Sequence, residues 1–320
     1  MTLLEKVRES CRSVAEEAAA VRINPDAIRS YGVDLIGHSI QPPRLDPGRH
    51  YLGRGDDTAA FFVILDSINY GSGYFLHLRK RPGMSGYFTL AAWLTDFFQL
   101  RGAPSARELS RITGADCTRI FHQDPDDSTV SELMELFAQS LRDLGDHLTR
   151  RFSGSFAALI RAADSSAEEL VKRLIEMPHF QDVAPYHSRE VSFYKRAQLM
   201  AADLALAFNG RGLGYFTDLS SLTLFADNLV PHVLRVDGLL EYTVELAARI
   251  DSAQLIPSGS APEVEIRACA LQVVELLVQE CRKSGKKITP MEADYLLWNR
   301  GQQPYYKKTR PRHRTRCVFY

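Results

Sequence analysis

Four times along this chain a serine or threonine stands three residues ahead of a glutamate at the head of an apolar run with helical spacing. The pairs are Ser105 with Glu108, Thr129 with Glu132, Ser165 with Glu168, and Thr289 with Glu292, where Pro290 occupies the first helical position. Each pair can satisfy the orphan amides of a helix start reciprocally, so the four mark helix starts. Asn24-Pro25-Asp26 supplies a fifth: a cap, a proline and an early acid. Ahead of it Leu4, Val7, Cys11, Val14, Ala18 and Val21 recur at intervals of three and four, the stripe of a helix packed by one face. Long helices are expected at roughly 128–151, 190–208, 219–236, 238–250 and 262–283, so the fold is mainly α. The exception is the N-terminal half, where the branched and aromatic run Phe61 to Asp66 and the alternating Tyr74 to Leu78 flank a Gly-rich turn. That pattern predicts a small β hairpin. No repeat or low-complexity linker divides the chain. One compact domain over 1–320 is expected, with the small β element in 1–150 and most chemistry-bearing motifs in 151–320.

Composition narrows the class. The chain has 320 residues, 45% of them hydrophobic, the balance of a globular protein that buries a core. Its 39 basic and 39 acidic side chains cancel, which argues against whole-surface attraction to nucleic acid or anionic membrane. The longest apolar run, Ala59 to Leu65, is far short of the ~18 residues a membrane span requires. Charges interleave the apolar residues at Leu3 to Glu9, unlike a signal peptide, so cytoplasmic residence is expected. Cys11, Cys117, Cys269, Cys281 and Cys317 include no Cys-x-x-Cys pair and read as reduced, packed thiols. Arg300 to Tyr320 holds seven cations and no acid, leaving 32 basic against 39 acidic groups elsewhere, a net of −7. With Tyr305, Tyr306, Phe319 and Tyr320 among them, these cations suit a phosphate backbone and stacked bases. The apolar finish Cys317-Val318-Phe319-Tyr320 favours instead an edge strand that closes the domain.

Several chemistries are excluded by pattern. Gly210-x-Gly212-x-Gly214 follows a helical segment where a dinucleotide fingerprint needs a strand. Nine histidines form no His-x-x-x-His pair, and neither a phosphate-binding loop with its Lys nor a Gly-x-Ser-x-Gly elbow occurs, so no metal and no cofactor is expected. What remains are three carboxylates in apolar surroundings, Asp66, Asp227 and Asp294, at positions where a charge needs either a partner or a chemical role. Taken as helical, Asp227 projects about 200° from Phe225, onto a second semi-apolar face, with Pro231 kinking or ending the helix a turn later. Lys195 is its natural partner. Lys195 and Arg196 point about 100° apart, so an amphipathic helix cannot keep both on its surface.

These segments together resemble the queuosine salvage protein family, the queuosine 5′-phosphate N-glycosylases. The resemblance rests on Val191-Ser192-Phe193-Tyr194-Lys195-Arg196-Ala197-Gln198, on Asp218 through Asp227, on Glu263-Val264-Glu265-Ile266-Arg267, on Asp294-Tyr295-Leu296-Leu297-Trp298, and on the closing Arg314 to Tyr320. Thinner matches lie at Leu65 to Tyr70, which contains Asn69, and at Ser85 to Leu90. The resemblance implies a metal-free hydrolase that splits queuosine 5′-monophosphate into queuine and ribose 5-phosphate, on a helical fold similar to that of helix-hairpin-helix DNA glycosylases. It implies Asp227 as the catalytic carboxylate, as nucleophile or as stabiliser of the oxocarbenium cation, with Lys195 favouring its charged form. Asp294 and Tyr295 would meet the leaving base, Phe225 and Trp298 would offer stacking faces, Asp66 and His50 would take its cationic arm, and Asn69 would bind substrate as well. Arg196, Arg267 and Lys195 compete for the phosphate. Asn299 departs from the family, where an acid is common. On this reading the partner is a small nucleotide, with no membrane and no stable nucleic-acid partner. The rival class is a noncatalytic RNA- or nucleoside-binding module whose tail supplies affinity. A DNA-repair glycosylase is a third, disfavoured by the net −7 outside the tail.

Overall fold

A computed structural model of the chain describes residues 1–37 and 44–320. Ser105 and Thr289 form reciprocal capping boxes with Glu108 and Glu292 at the heads of the Ala106–Leu109 and Pro290–Gly301 helices. Asn24 Oδ1 accepts from the Ala27 amide at the head of Pro25–Gly37. Two expected caps move. Asp127 rather than Thr129 caps Ser128–Phe152, because its carboxylate accepts from two amides at once, those of Thr129 and Val130 at 2.9 and 3.1 Å. Ser166 rather than Ser165 caps Ala167–Leu174, Ser165 being left-handed at φ 59°. The Leu3–Glu17 helix buries Leu4, Val7, Cys11 and Val14, as its stripe requires.

That helix and Pro25–Gly37 both pack on the Ala261–Lys283 helix, which runs through the core. A second buried helix, Asp56–Ser67, packs against Lys195–Ala207 and Ser128–Phe152. Every residue from Thr58 to Ser67 is buried, which corrects the expected hairpin. Phe61 to Asp66 is helix and 70–78 is a chain of turns. A helix enclosed on all sides is apolar all round, so its sequence carries no helical period to distinguish it from a buried strand. The β structure lies elsewhere. Val21–Ile23 pairs antiparallel with Leu240–Tyr242, Val21 opposite Tyr242, and thereby ties the two halves of the chain together. Val183–Tyr186 pairs with Arg189–Ser192.

These strands shorten two expected helices, which run Lys195–Ala207 and Val244–Asp251. The expected helix over 219–236 is broken outright. Leu219–Ser221 is a single 3-10 turn, 222–227 is irregular, and a helix begins only at Leu229 and ends at Val236. Pro231 lies in its first turn, where no amide is needed, so it begins this helix instead of kinking or ending one.

The basic C-terminal segment packs, as expected, but among the described residues it forms only one strand-like bridge, Leu255 to Arg314. His313, Thr315, Cys317 and Tyr320 are buried. Gly73 lies so close to the Thr315 carbonyl that no side chain fits between them. Among the described residues no helix is long and apolar enough to cross a membrane.

Candidate active site

Four elements meet around Lys195, the first residue of the Lys195–Ala207 helix. The preceding Tyr194 is left-handed at φ 51° and offers no side-chain cap. Asp182 substitutes for one: its Oδ2 accepts from the Lys195 amide at 3.1 Å. The ammonium is buried and donates to the Asn69 carbonyl at 3.1 Å. Burial lowers its pKa, and the charges of Asp227, Asp66 and Asp294 push it back up.

Asp227 occupies the irregular stretch, so the helical angle expected for it does not apply. Its Oδ1 accepts from the Leu229 and Val230 amides at 2.7 and 3.0 Å and so caps the Leu229–Val236 helix. Its Oδ2 accepts no hydrogen bond from a described residue, and the side chain is only half-buried. The backbone around it is pinned residue by residue. Gln198 exchanges hydrogen bonds with Thr223, Oε1 accepting from its amide at 2.8 Å. Asp294 Oδ1 accepts from the Phe225 amide at 3.2 Å. Arg267 Nε donates to the Ala226 carbonyl at 3.0 Å, and Asn228 Nδ2 donates to the His313 carbonyl at 3.2 Å. An irregular loop with its polar groups satisfied from four sides holds its one open oxygen in place without helical support.

Three further carboxyls surround the cation. Asp66 is completely buried, its Oδ1 accepting from Asn69 Nδ2 at 3.2 Å and its Oδ2 without a partner among the described residues. Burial, then the charge of Asp203, raises its pKa well above the ordinary range. Asp294 is raised well above that range by burial and then by Asp227. Asp203, two turns along from Lys195, accepts from the Tyr295 hydroxyl at 2.6 Å, and burial pushes it up to about 6. Asp66 and Asp294, the two raised well above the ordinary range, can donate hydrogen bonds as neutral acids, which suits the nitrogen and oxygen edge of a heterocycle.

Aromatic side chains continue this floor. Phe225 meets Tyr295 edge to face at 6.3 Å, and Trp298 meets Tyr87 and Phe88 likewise at 5.9 and 5.6 Å. His50 is buried, stacks on Phe62 at 6.0 Å and has Nε2 3.1 Å from the Tyr87 hydroxyl. Burial lowers its pKa, which favours the neutral ring. Tyr87 in turn is raised by burial and by the charges of Asp203 and Asp66.

Two candidates are committed to backbone carbonyls and to Asp182. Arg196 is buried between the rings of Tyr70 and Phe180 and donates to the carbonyls of Asp66, Ser67 and His179. Arg267 is buried and forked onto Asp182 at 2.9 and 2.6 Å, between Phe193 and Tyr320. Both brace backbone. Sequence reasoning passed over Asp203, Tyr87, Asp182, Gln198 and Thr223. Asp203 carried a legible signal, a lone acid in Leu199 to Phe208, the same kind that singled out Asp66, Asp227 and Asp294.

A model of the family described as queuosine salvage protein matches residues 49–320. The chain is 36% identical to the queuosine 5′-phosphate N-glycosylase/hydrolase of Sphaerobacter thermophilus, with 98% of this chain and 97% of that protein covered. It is 32% identical to the protein of the same name from Bos taurus, with 98% of each covered. Against the one from Dictyostelium discoideum it is 31% identical, over 100% of both chains.

Proposed function

Because the chain belongs to the queuosine salvage protein family, we propose that it hydrolyses the N-glycosidic bond of queuosine 5′-monophosphate, releasing queuine and ribose 5-phosphate. The observation that carries the site assignment is the open Oδ2 of Asp227, held by a pinned loop in the field of the buried Lys195 ammonium. As the base departs with the bonding electrons, the sugar becomes an oxocarbenium-like cation. Asp227 lowers that barrier whether it bonds to the anomeric carbon or only faces it, and water supplies the hydroxyl that completes the product. Lys195 sets a buried positive charge beside that carboxylate. Asp294 donates to the leaving base and offsets the charge it acquires. Asp66, with Asn69, receives the cationic arm of the base, whose positive charge draws the buried carboxyl into its ionised form; His50 orients Tyr87 at the edge of the base site. Phe225, Tyr295 and Trp298 provide its apolar walls.

The chain works as one domain, its two halves joined by the Val21–Ile23 and Leu240–Tyr242 pairing. Its mainly helical scaffold accords with the kinship to helix-hairpin-helix DNA glycosylases that the resemblance implies. Cytoplasmic residence is part of the same reading and is supported by five buried cysteines without a disulfide. The test is Asp227→Asn assayed with queuosine 5′-monophosphate. The amide keeps an oxygen for the helix cap, so the variant is expected to fold and to lose at least ~10²-fold in kcat, the scale of removing an electrostatic stabiliser. Turnover near the parent's removes Asp227 from the chemistry.

A further inference from the structure

On the hydrolytic reading, the reacting carboxylate and the leaving base are held by different helices. Asp227 is fixed to the first turn of the Leu229–Val236 helix, whose Leu229 amide donates to its Oδ1 at 2.7 Å. Asp294, Tyr295 and Trp298 all belong to the Pro290–Gly301 helix. The two helices pack on each other, so their spacing sets how far the carboxylate stands from the floor those side chains form.

Gly301, the last residue of its helix, is where they come closest. Its backbone is helical and not left-handed, so its conformation does not call for glycine, and alanine is the better helix former. Space is what calls for it. A Cβ on Gly301 would lie 2.8 Å from Cγ and Cδ1 of Leu229 and 2.9 Å from Cγ2 of Val233, against about 3.5 Å for carbons at rest. Neither neighbour has room to turn aside. Both are buried, and Val233 is β-branched within a helix, where one rotamer dominates.

The other end of the Leu229–Val236 helix is tied down as well. Asp237, which follows it, accepts from the Tyr31 and Tyr306 hydroxyls at 2.7 and 2.8 Å, and Arg300, next to Gly301, comes within 3.3 Å of the same carboxylate. A methyl at 301 is therefore relieved at the free end of the helix, in the turn that holds Asp227. The Pro290–Gly301 helix also reaches this loop two turns earlier, where Asp294 accepts from the Phe225 amide at 3.2 Å. It thus bears on the chain two residues before Asp227 and two residues after it.

We propose that Gly301 is a positioning residue: by letting the two helices approach this closely, it sets the reach from Asp227 to the bond that breaks. The identity of that bond rests on the hydrolytic reading above, whereas the placement of Asp227 is a property of the helix pair.

The experiment compares the full-length parent with Gly301→Ala and with Gly301→Ala combined with Leu229→Ala, which removes Cγ and Cδ1 but keeps the amide that Asp227 grips. All are assayed well below their thermal midpoints. With queuosine 5′-monophosphate, Gly301→Ala is expected to lose roughly 10-fold in kcat, because a misplacement of about 1 Å costs on the order of 10²-fold and the methyl demands part of that. KM and the calorimetric affinity for queuine stay near the parent's, and the double variant regains most of the lost kcat. An unchanged kcat, a loss that appears in KM or in queuine affinity instead, or a loss that the second substitution does not restore overturns the proposal. Hydrogen exchange needs no turnover. The Leu229 and Val230 amides are expected to exchange faster in Gly301→Ala and more slowly again in the double variant, and exchange that does not change overturns the proposal whatever kcat does. A parent that releases no queuine, with variants that show this exchange pattern, keeps the placement of Asp227 by Gly301 and sinks the hydrolytic reading.

Discussion

At Asp227 one oxygen closes a helix and the other is open, so substitutions there separate folding from chemistry. Asp227→Ala removes both functions and is expected to cost about 1 kcal/mol of stability, the usual worth of an N-cap, whereas Asn retains a capping oxygen and most of that energy. Thermal unfolding of the two variants side by side checks this; an Asn variant as destabilised as Ala means the cap is not what Oδ1 contributes. The partner residue is tested through its charge. Lys195→Met removes the buried ammonium that the charge of Asp227 favours, and is expected to lower kcat/KM at least ~10-fold. A variant as active as the parent breaks the pairing. At this scale the sequence is informative where an acid interrupts apolar residues, as at Asp66, Asp227 and Asp294. It is silent where the partner is backbone. Nothing local marks Asp182 as the cap of Lys195, thirteen residues away, or Gln198 as the clasp of Thr223.

The element that decides the site is the loop 222–227, which the apolar spacing of Leu222, Phe225, Leu229 and Val233 presents as helix. Spacing reports burial, and these side chains are buried. It does not report that Gln198, Asp294 and Arg267 offer the same backbone a better set of bonds than a helix would. Arg267 is central to that competition, since it joins the Ala261–Lys283 helix to Asp182, to the Ala226 carbonyl and to the rings of Phe193 and Tyr320. Breaking a buried pair from one side strands the other charge. Arg267→Met is therefore expected to destabilise by about 3–5 kcal/mol, and Arg267→Met combined with Asp182→Asn, which keeps an oxygen for the Lys195 amide, by less than the single change. Urea denaturation midpoints of the two decide it, and a double variant weaker than the single one contradicts the stranded-charge account. The hairpin misplaced onto 61–78 fails for a related reason. Val21–Ile23 finds its partner more than two hundred residues downstream, and no local signal encodes that pairing.

Over the whole molecule, burial sets two groups of titrating residues against each other. His50, His147, His179, His232 and His313 are all lowered, His313 to about 3, so below pH 6.5 the unfolded chain binds more protons and stability rises with pH through that window. Asp66, Asp203 and Asp294 are raised, so above 3.8 the folded chain holds protons that the unfolded chain has released, and their contribution falls with pH. The acids line the candidate site and the histidines are mostly scaffold, so the candidate site costs stability in the range where the scaffold gains it. Replacing one site acid isolates that cost. Asp203→Asn keeps an oxygen for the Tyr295 hydroxyl and removes the titration. Its thermal midpoint is expected to gain on the parent's as pH rises from about 4 to about 6, the window between the ordinary value of 3.8 and the raised one, and to keep a constant lead above it. A difference between variant and parent that does not change across that window would show that Asp203 folds without a perturbed proton, and that the buried acid under Tyr295 carries no stability cost.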